Sequence, residues 1–222
     1  MQKSFTRSLL WAYIAIAGVI SSNAASLSLP SSGQNVSGGR DNSYEIISDT
    51  TGEISAPAQA FVVTTLGNGW APPIGGTSWI GPSANQALAN QPSGDPGNSS
   101  DTYRMAFSLA GFDASTAALN ITMMSDNGVT VLLNGSNVYQ NGDGLAVLFT
   151  APFSFSIHSG FVSGLNTLDF VVANAFGPTG IDVSMSGSAT ATPEPGLAGL
   201  VAILTLLLIW RQRFVRRGRT LW

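Results

Sequence analysis

The sequence contains no cysteine and only one histidine, His158, among its 222 residues. Without cysteine the chain has neither disulfide bonds nor thiolate metal sites, and cysteine nucleophiles are excluded. Zinc sites built on histidine need several His or Cys ligands, so the residue count excludes them too. A Ser-His-Asp triad could use only His158, and no Gly-x-Ser-x-Gly nucleophile elbow is present. The sequence therefore lacks most of the residues that nucleophilic or zinc-dependent catalysis requires.

Charge is also scarce: charged residues make up 9% of the chain, against roughly 25% in typical soluble domains. The basic residues lie mainly near the two ends, with only Arg40 and Arg104 between them. Eleven of the 12 acidic residues lie between Asp41 and Asp182, which gives the central region a net charge of −9. Such a region repels nucleic acid and other polyanions, and it tolerates divalent cations and neutral partners.

The central region lacks a helical hydrophobic period and shows a period of two instead. In "TYRMAFSL" and "FSFSI", apolar and polar residues alternate as in half-buried antiparallel strands. The pattern predicts an all-β antiparallel sandwich over residues 26–188. The predicted strands are Tyr44–Ser48, Ala60–Leu66, Thr102–Leu109, Ala118–Met124, Gly128–Leu133, Phe149–Ile157, Thr167–Asn174 and Ile181–Ser186.

Turn signals separate these strands. Asp126-Asn127-Gly128 and Asn134-Gly135 flank "VTVLL", and we expect Asp126 to cap its own turn through a backbone hydrogen bond. Residues 81–100 are polar and rich in Pro and Gly, which predicts a long surface loop. The run "GSATAT" over 187–192 predicts a flexible segment, whose residues 189–192 form a linker.

The N-terminal residues 1–24 have the features of a signal peptide. Lys3 and Arg7 precede an apolar run from Leu9 to Ile20, and small residues follow it. We expect cleavage after Ala24, with Ala25 as the next choice. The alternative is an uncleaved anchor helix.

The C-terminus carries a second apolar segment over residues 196–210, followed by an arginine-rich tail over 211–222. The apolar segment predicts a transmembrane helix of roughly 22 Å, which is short for a bilayer core of roughly 30 Å. Positive tails resist translocation, so the tail would stay in the cytoplasm and the acidic domain outside. A buried core helix is the alternative. The orienting arginines are Arg211, Arg213, Arg216, Arg217 and Arg219.

Pro193-Glu194-Pro195, the short apolar helix and the terminal arginine patch resemble the PEP-CTERM sorting signal of Gram-negative bacteria. The resemblance covers residues 193–222 and implies processing by an integral-membrane exosortase near the Pro-Glu-Pro. It implies transient anchoring in the inner membrane, followed by transfer toward the cell surface and its exopolysaccharide matrix. An ordinary C-terminal anchor is the alternative.

A second resemblance lies in "SDNGVTVLLNGSNVY" and "SGLNTLDFVVANAFGPTGIDVSMSGSA". These stretches are similar to the later half of galactose-binding-like jelly-roll domains, in which an Asn-Gly turn and a Gly-x-Asn-Thr-Leu turn flank core strands. The resemblance implies the fold, and it does not imply sugar binding. The matching positions are Asp126, Asn134, Gly135, Gly164, Asn166, Leu168 and Asn174.

Few residues are candidates for a ligand site. Trp70 follows Gly69 in a predicted loop and is a candidate exposed platform for sugar rings, whereas Trp79 is expected in the core. The other candidate glycan-binding residues are Tyr139, Asp126 and Asn134. Loop Asp and Asn residues could also hold Ca²⁺, although the spacing of a known calcium loop is missing. Paired carboxylates of a glycoside hydrolase are a further alternative.

The sequence thus predicts an exported, non-enzymatic surface or matrix protein that associates with polysaccharide. It predicts no catalytic residue, no metal site and no cofactor, with Ca²⁺ as the alternative. Exosortase, the inner membrane and extracellular polysaccharide are the expected partners, and nucleic acid is not. A secreted carbohydrate hydrolase and a passive structural protein without a ligand are the competing hypotheses.

Overall fold

The computed structural model describes residues 23–50, 52–87, 99–143, 145–175, 177–192, 201 and 204–211. The chain divides into two compact units, and one of them, Ala24–Thr190, is built from antiparallel strands. The predicted all-β class is confirmed. The strands are β1 (Ala24–Ser26), β2 (Val36–Ser37), β3 (Arg40–Asp49), β4 (Ala58–Val62), β5 (Ile80–Gly81), β6 (Ser99–Ser108), β7 (Phe112–Asp126), β8 (Val129–Leu133), β9 (Ser136–Asn141), β10 (Val147–Ile157), β11 (Leu165–Asn174) and β12 (Gly180–Ala191).

The strands hydrogen-bond in the order β10-β7-β12-β5-β4-β3-β6-β11-β8-β9, with β1 added to β12 and β2 added to β3. The two ends of this path meet face to face, because the ring of Tyr139 on β9 stacks on Phe155 of β10 with centroids 3.8 Å apart. The sheet therefore curls over itself into two layers that enclose one core.

Alternate side chains of the long strands supply that core. On β6, Tyr103 and Met105 are fully buried, whereas Arg104 between them is partly exposed, as the period of two predicts. The partner strand β11 shows the same alternation and pairs with β6 along its whole length. The largest fully buried members of the core are Tyr44, Ile46, Ile80, Tyr103, Met105, Leu109, Leu119, Ile121, Met123 and Phe170.

A second, smaller apolar cluster lies on the opposite face of β7. Met123 points into the main core, whereas its neighbour Met124 packs with Val63, Trp70 and Trp79, and we call these last four residues the tryptophan cluster. Successive residues of a strand point to opposite faces, so this cluster lies outside the main core. The segment between β4 and β5 folds back over the sheet to supply both tryptophans.

The structure corrects several predicted boundaries. The strands β1, β2, β5 and β9 are not among those predicted, because the first three are too short to show a period and β9 is mostly polar. The linker prediction for 189–192 is wrong over its first three residues. There β12 continues to Ala191, because Ala24 and Ala25 of β1 pair with Thr190 and Ala189. In the predicted loop over 81–100, residue 81 belongs to β5 and residues 99–100 belong to β6. Its residues 88–98 lie outside the described residues.

The other unit comprises Met1–Asn23 and Ala191–Trp222. The predicted signal peptide covers residues 1–24, and residues 1–22 of it lie outside the described residues. Residues 204–211 are helical, which covers the C-terminal part of the predicted 196–210 helix. Within the described residues, no helix has both the length and the apolar character needed to span a bilayer.

Candidate functional site

Three carboxyl groups lie together at one end of the sandwich: Asp49, Glu53 and Asp101, which we call the acidic cluster. Asp49 ends β3 and lies directly opposite Asp101 of β6 in the strand register. The Asp49 carboxylate accepts hydrogen bonds from the backbone N–H groups of Gly52 (2.9 Å) and Ile54 (2.7 Å). These bonds close the turn after β3 and bring Glu53 close enough for its charge to act on Asp101.

Burial and mutual repulsion both act on the acidic cluster. Asp101 is fully buried, and burial, followed by the charge of Asp49 and a hydrogen bond with Asp49, raises the pKa of Asp101 to about 8. Burial and the charge of Asp49 also raise the pKa of Glu53. Adjacent buried carboxylates disfavour each other's ionised form unless a positive charge joins them.

Polar side chains surround Asp101 without saturating it. The Thr179 hydroxyl donates to Asp101 Oδ2 (3.1 Å), and the Thr179 N–H donates to Gln86 Oε1 (3.1 Å). The side-chain amide of Asn174, which is fully buried, donates to a loop carbonyl (3.3 Å). In the described part of the chain, the buried oxygen atoms without a hydrogen-bond partner include Asp101 Oδ1, Asn174 Oδ1 and the Tyr103 hydroxyl.

The structure contradicts the prediction that Trp70 is an exposed platform. Its side chain is only 7% exposed, and its ring stacks on Trp79 with centroids 4.1 Å apart. Gly180 of β12 permits this packing, because a Cβ there would lie 2.8 Å from a ring atom of Trp70. The glycine before Trp70 correctly suggested a loop, but no local signal shows that the loop folds over the sheet. Trp79 is fully buried, as predicted.

Asp126 has an internal role that differs from the predicted turn cap. Its carboxylate is 4% exposed, and Oδ2 accepts a hydrogen bond from Trp70 Nε1 at 2.6 Å. Burial raises the pKa of Asp126 to about 7, although the hydrogen bond from Trp70 lowers it. Asp126 therefore anchors the tryptophan cluster.

Asn134 belongs to the scaffold. With Gly135 it forms the β8–β9 turn, and both residues have positive φ angles (52° and 80°), as the Asn-Gly signal predicts. Asn134 Oδ1 accepts a hydrogen bond from the Thr167 N–H (3.0 Å), and Nδ2 donates to Asn166 Oδ1 (2.9 Å). Its side-chain amide is engaged on both sides within the fold, although the residue itself is exposed.

Tyr139 is the remaining glycan candidate, and it is half-buried. Its ring stacks on Phe155 (3.8 Å between centroids, 4° between planes) and lies 6.0 Å from Phe153. We call these three residues the aromatic seam. All three rings are partly exposed, and they lie where the edge strands β9 and β10 face each other.

Outside the acidic cluster, the acids and the histidine that could support catalysis are dispersed in the described part of the chain. His158 is exposed just beyond the end of β10. Asp169 is held by Arg104 through two hydrogen bonds of 2.7 Å, and Asp182 accepts a backbone hydrogen bond from Ile74. Glycoside hydrolysis requires two carboxyl groups that face a substrate across roughly 5–9.5 Å. These acids instead bond within the fold.

Of the residues predicted to take part in processing and membrane orientation, the structure describes only Ala24, Ala25 and Arg211. Ala24 and Ala25 belong to β1, and Arg211 is exposed at the end of the described helix. The others lie outside the described residues: Pro193, Glu194, Pro195, Arg213, Arg216, Arg217 and Arg219.

The acidic cluster is not predicted from the sequence as a set. The stretch from Asp49 to Glu53 does carry a local signal, since an acid at a strand end followed by Gly is typical of a turn. Asp101 is 52 positions away from Asp49, and only the β3–β6 register brings the two together. Without that register, each acid looks like an ordinary loop residue.

This chain is similar to known proteins in structure but not in sequence. No family model matches the chain, and no curated protein matches its sequence. Among solved structures, the Stig cyclase Fisc from Fischerella sp. TAU has a TM-score of 0.44 at 9% identity, covering 77% of this chain and 100% of that one. A family 35 carbohydrate-binding module from an environmental isolate has a TM-score of 0.36 at 14% identity, covering 69% and 97%. CBM35 from Paenibacillus barcinonensis has a TM-score of 0.32 at 16% identity, covering 65% and 92%. Likeness at this level assigns no ligand or activity to this chain.

Proposed function

We propose that this chain is an exported, non-enzymatic surface or matrix protein whose jelly-roll sandwich, of the galactose-binding-like type, associates with neutral polysaccharide. The aromatic seam carries the proposal. It offers a partly exposed tyrosine ring with a fixed orientation, because Phe155 supports one face of that ring at 3.8 Å. Ligand sites typically combine such rings with a few polar groups, and the exposed amides of Asn137 and Gln140 lie on the same strand.

The charge distribution supports a neutral glycan over an acidic one. The sandwich contains two arginines, Arg40 and Arg104. Arg104 is held by Asp169, and Arg40 lies 3.7 Å above the ring of Phe61. An anionic polymer would therefore meet a domain of net charge −9 whose arginines are already engaged.

Tyr139 is the residue to change in a test of glycan association. We expect Tyr139→Leu to weaken binding to the best ligand on a glycan array at least tenfold, because leucine fills the seam but offers no planar ring. Tyr139→Phe should retain binding, and both variants should melt within a few degrees of the parent. Equal affinity of Tyr139→Leu and the parent protein would reject the seam. Absence of binding to every glycan would favour the passive structural alternative.

The non-enzymatic role has a direct competitor in glycoside hydrolysis. That alternative predicts release of reducing sugar from a polysaccharide, and a loss of release when a carboxyl group is removed. Because Asp49 and Asp101 lie opposite each other in the strand register, hydrolysis that disappears in Asp49→Asn would establish the competitor. No release by the parent protein from any bound glycan supports a binding role.

Sorting by an exosortase-type enzyme is the second part of the proposal, and the order Pro193-Glu194-Pro195, apolar segment and arginine patch supports it. We expect Glu194→Ala, with all arginines retained, to accumulate as an uncleaved membrane-bound form. Mass spectrometry of both termini measures this, and Glu53→Ala serves as a control outside the signal. Normal release of Glu194→Ala would contradict exosortase processing.

A further inference from the structure

Four asparagines of this chain directly precede a glycine: Asn68, Asn127, Asn134 and Asn141. Such a pair can rearrange chemically, because the glycine nitrogen can attack the side-chain amide carbon of the asparagine and glycine has no side chain to obstruct the approach. The reaction needs a free side-chain amide, a free glycine N–H and a peptide plane that can rotate. Hydrogen bonds within the fold therefore decide which of the four pairs can react.

Asn134 is exposed, but the fold holds its side chain. Nδ2 donates to the Gly160 carbonyl (3.0 Å) and to Asn166 Oδ1 (2.9 Å). Oδ1 accepts a hydrogen bond from the Thr167 N–H (3.0 Å). These bonds must break before the amide carbon of Asn134 can meet the next nitrogen, and each broken bond raises the barrier.

The pairs at Asn127 and Asn141 are held through the main chain. The nitrogen of Gly128, which would have to attack Asn127, donates to the Asp143 carbonyl at 2.8 Å. Asn141 is half-buried and ends β9, where it pairs with Val129 in the ladder. Rotation of either peptide plane would therefore disturb contacts of the sheet.

The Asn68-Gly69 pair has none of these restraints. The two residues occupy the centre of a tight turn, because the Trp70 N–H donates to the Gly67 carbonyl at 3.2 Å, and Gly69 has the positive φ (84°) of a type II turn. Both central residues are exposed. Among the residues that the structure describes, neither the Asn68 side chain nor the Gly69 N–H has a hydrogen-bond partner. Since glycine accepts either sign of φ, their peptide plane can rotate without breaking the Gly67–Trp70 bond.

We propose that Asn68 is a site of spontaneous deamidation. The Gly69 nitrogen loses its proton to a solvent base and bonds to Asn68 Cγ, and the Cγ–Nδ2 bond breaks with release of ammonia. Water then opens the resulting succinimide ring. Opening at the new bond gives aspartate, and opening at the original main-chain bond gives isoaspartate. The net reaction consumes one water and releases one ammonia, without oxidation or reduction.

Isoaspartate at position 68 changes the tryptophan cluster. It adds a methylene to the main chain inside the turn that ends at Trp70. The indole of Trp70 is held on both sides, by the hydrogen bond to Asp126 (2.6 Å) and by stacking on Trp79 (4.1 Å between centroids). A longer turn displaces Trp70 from these partners, so conversion lowers the stability of the sandwich.

Peptide mass spectrometry of the full-length protein in detergent tests the site, after incubation in mildly alkaline buffer made with isotopically heavy water. The new carboxyl group takes up heavy oxygen, which separates conversion during the incubation from any earlier conversion. We expect Asn68 to convert at least tenfold faster than Asn134, because the hydrogen bonds of Asn134 must break first. Asn127 and Asn141 should also be slower than Asn68. In protein unfolded with guanidinium chloride, the four rates should become similar.

Asn68→Gln is the matched variant, because glutamine retains the amide but must form a larger ring to react. After the same incubation, the parent protein should melt a few degrees lower than before, whereas Asn68→Gln should melt as it did at the start. Conversion of Asn134 or Asn141 as fast as that of Asn68 in the folded protein would overturn the site. A preference for Asn68 that persists in the unfolded protein would overturn its structural cause.

Discussion

Replacing Asp182 with alanine should lower the free energy of unfolding by about 3 kcal/mol, because it removes a buried acceptor that joins three segments. Asp182 Oδ2 accepts the Ile74 N–H at 2.7 Å, and Oδ1 accepts the hydroxyls of Ser32 (3.2 Å) and Thr77. These bonds tie the β4–β5 segment and the residues before β2 to β12. In the variant the Ile74 N–H loses its acceptor, and a buried donor without a partner is costly.

Urea unfolding followed by tryptophan fluorescence measures this loss. Asp182→Asn provides the matched comparison, because its amide oxygen still accepts the Ile74 N–H and the neighbouring hydroxyls can reorient toward its NH₂ group. We expect Asp182→Asn to lose clearly less stability than Asp182→Ala. Asp113→Ala, at an exposed site, should change stability by no more than about 0.5 kcal/mol. An Asp182→Ala protein as stable as the parent would show that these bonds contribute nothing.

The stability of the sandwich should fall as the pH rises toward neutrality, and Asp126 should account for a measurable part of the fall. The pKa of Asp126 in the folded state is about 7, above the roughly 3.9 of an unfolded aspartate. The folded state therefore binds this proton more tightly. The stabilisation is complete below about pH 4 and is lost as the pH rises through about 7, with a slope of at most about 1.4 kcal/mol per pH unit.

Asp126→Asn isolates this contribution, because asparagine retains an acceptor for Trp70 Nε1 but does not titrate. Other acids with raised pKa values, such as Asp41 and Asp182, contribute to both proteins and cancel in the comparison. We expect the stability of the parent minus that of Asp126→Asn to decline between about pH 4 and pH 7. The same difference for exposed Asp113→Asn should stay flat above about pH 5. A flat curve for Asp126→Asn would contradict the assigned proton.

Local pattern proved sufficient for most of the strands. The alternation of Tyr103, Met105 and Phe107 predicted a half-buried strand, and β6 buries all three. The Asn134-Gly135 signal predicted the β8–β9 turn, because two consecutive positive φ angles favour these residues. The prediction failed at 189–191, where small and polar residues extend β12 and a distant segment, β1, pairs with Ala189 and Thr190.

The candidate sites depended far more on contacts between distant residues. Trp70 looked like a loop residue and proved to be buried, because Gly180, 110 positions away, leaves room for its ring. Asp126 looked like a turn acid and proved to bond Trp70. Neither contact has a counterpart in local sequence pattern, since each joins segments that are adjacent only after the sheet has formed.

The sequence alone determined the absence of cysteine chemistry, the acidic central region and the period of two that makes an antiparallel sheet, because each is a property of composition or of neighbouring residues. The tertiary structure decided which polar groups lose contact with water and which meet each other. Strand register placed Asp49 opposite Asp101. The curvature of the sheet brought Tyr139 of β9 onto Phe155 of β10. Register is set by the packing of the whole core, so the sites it creates cannot be read from any single segment.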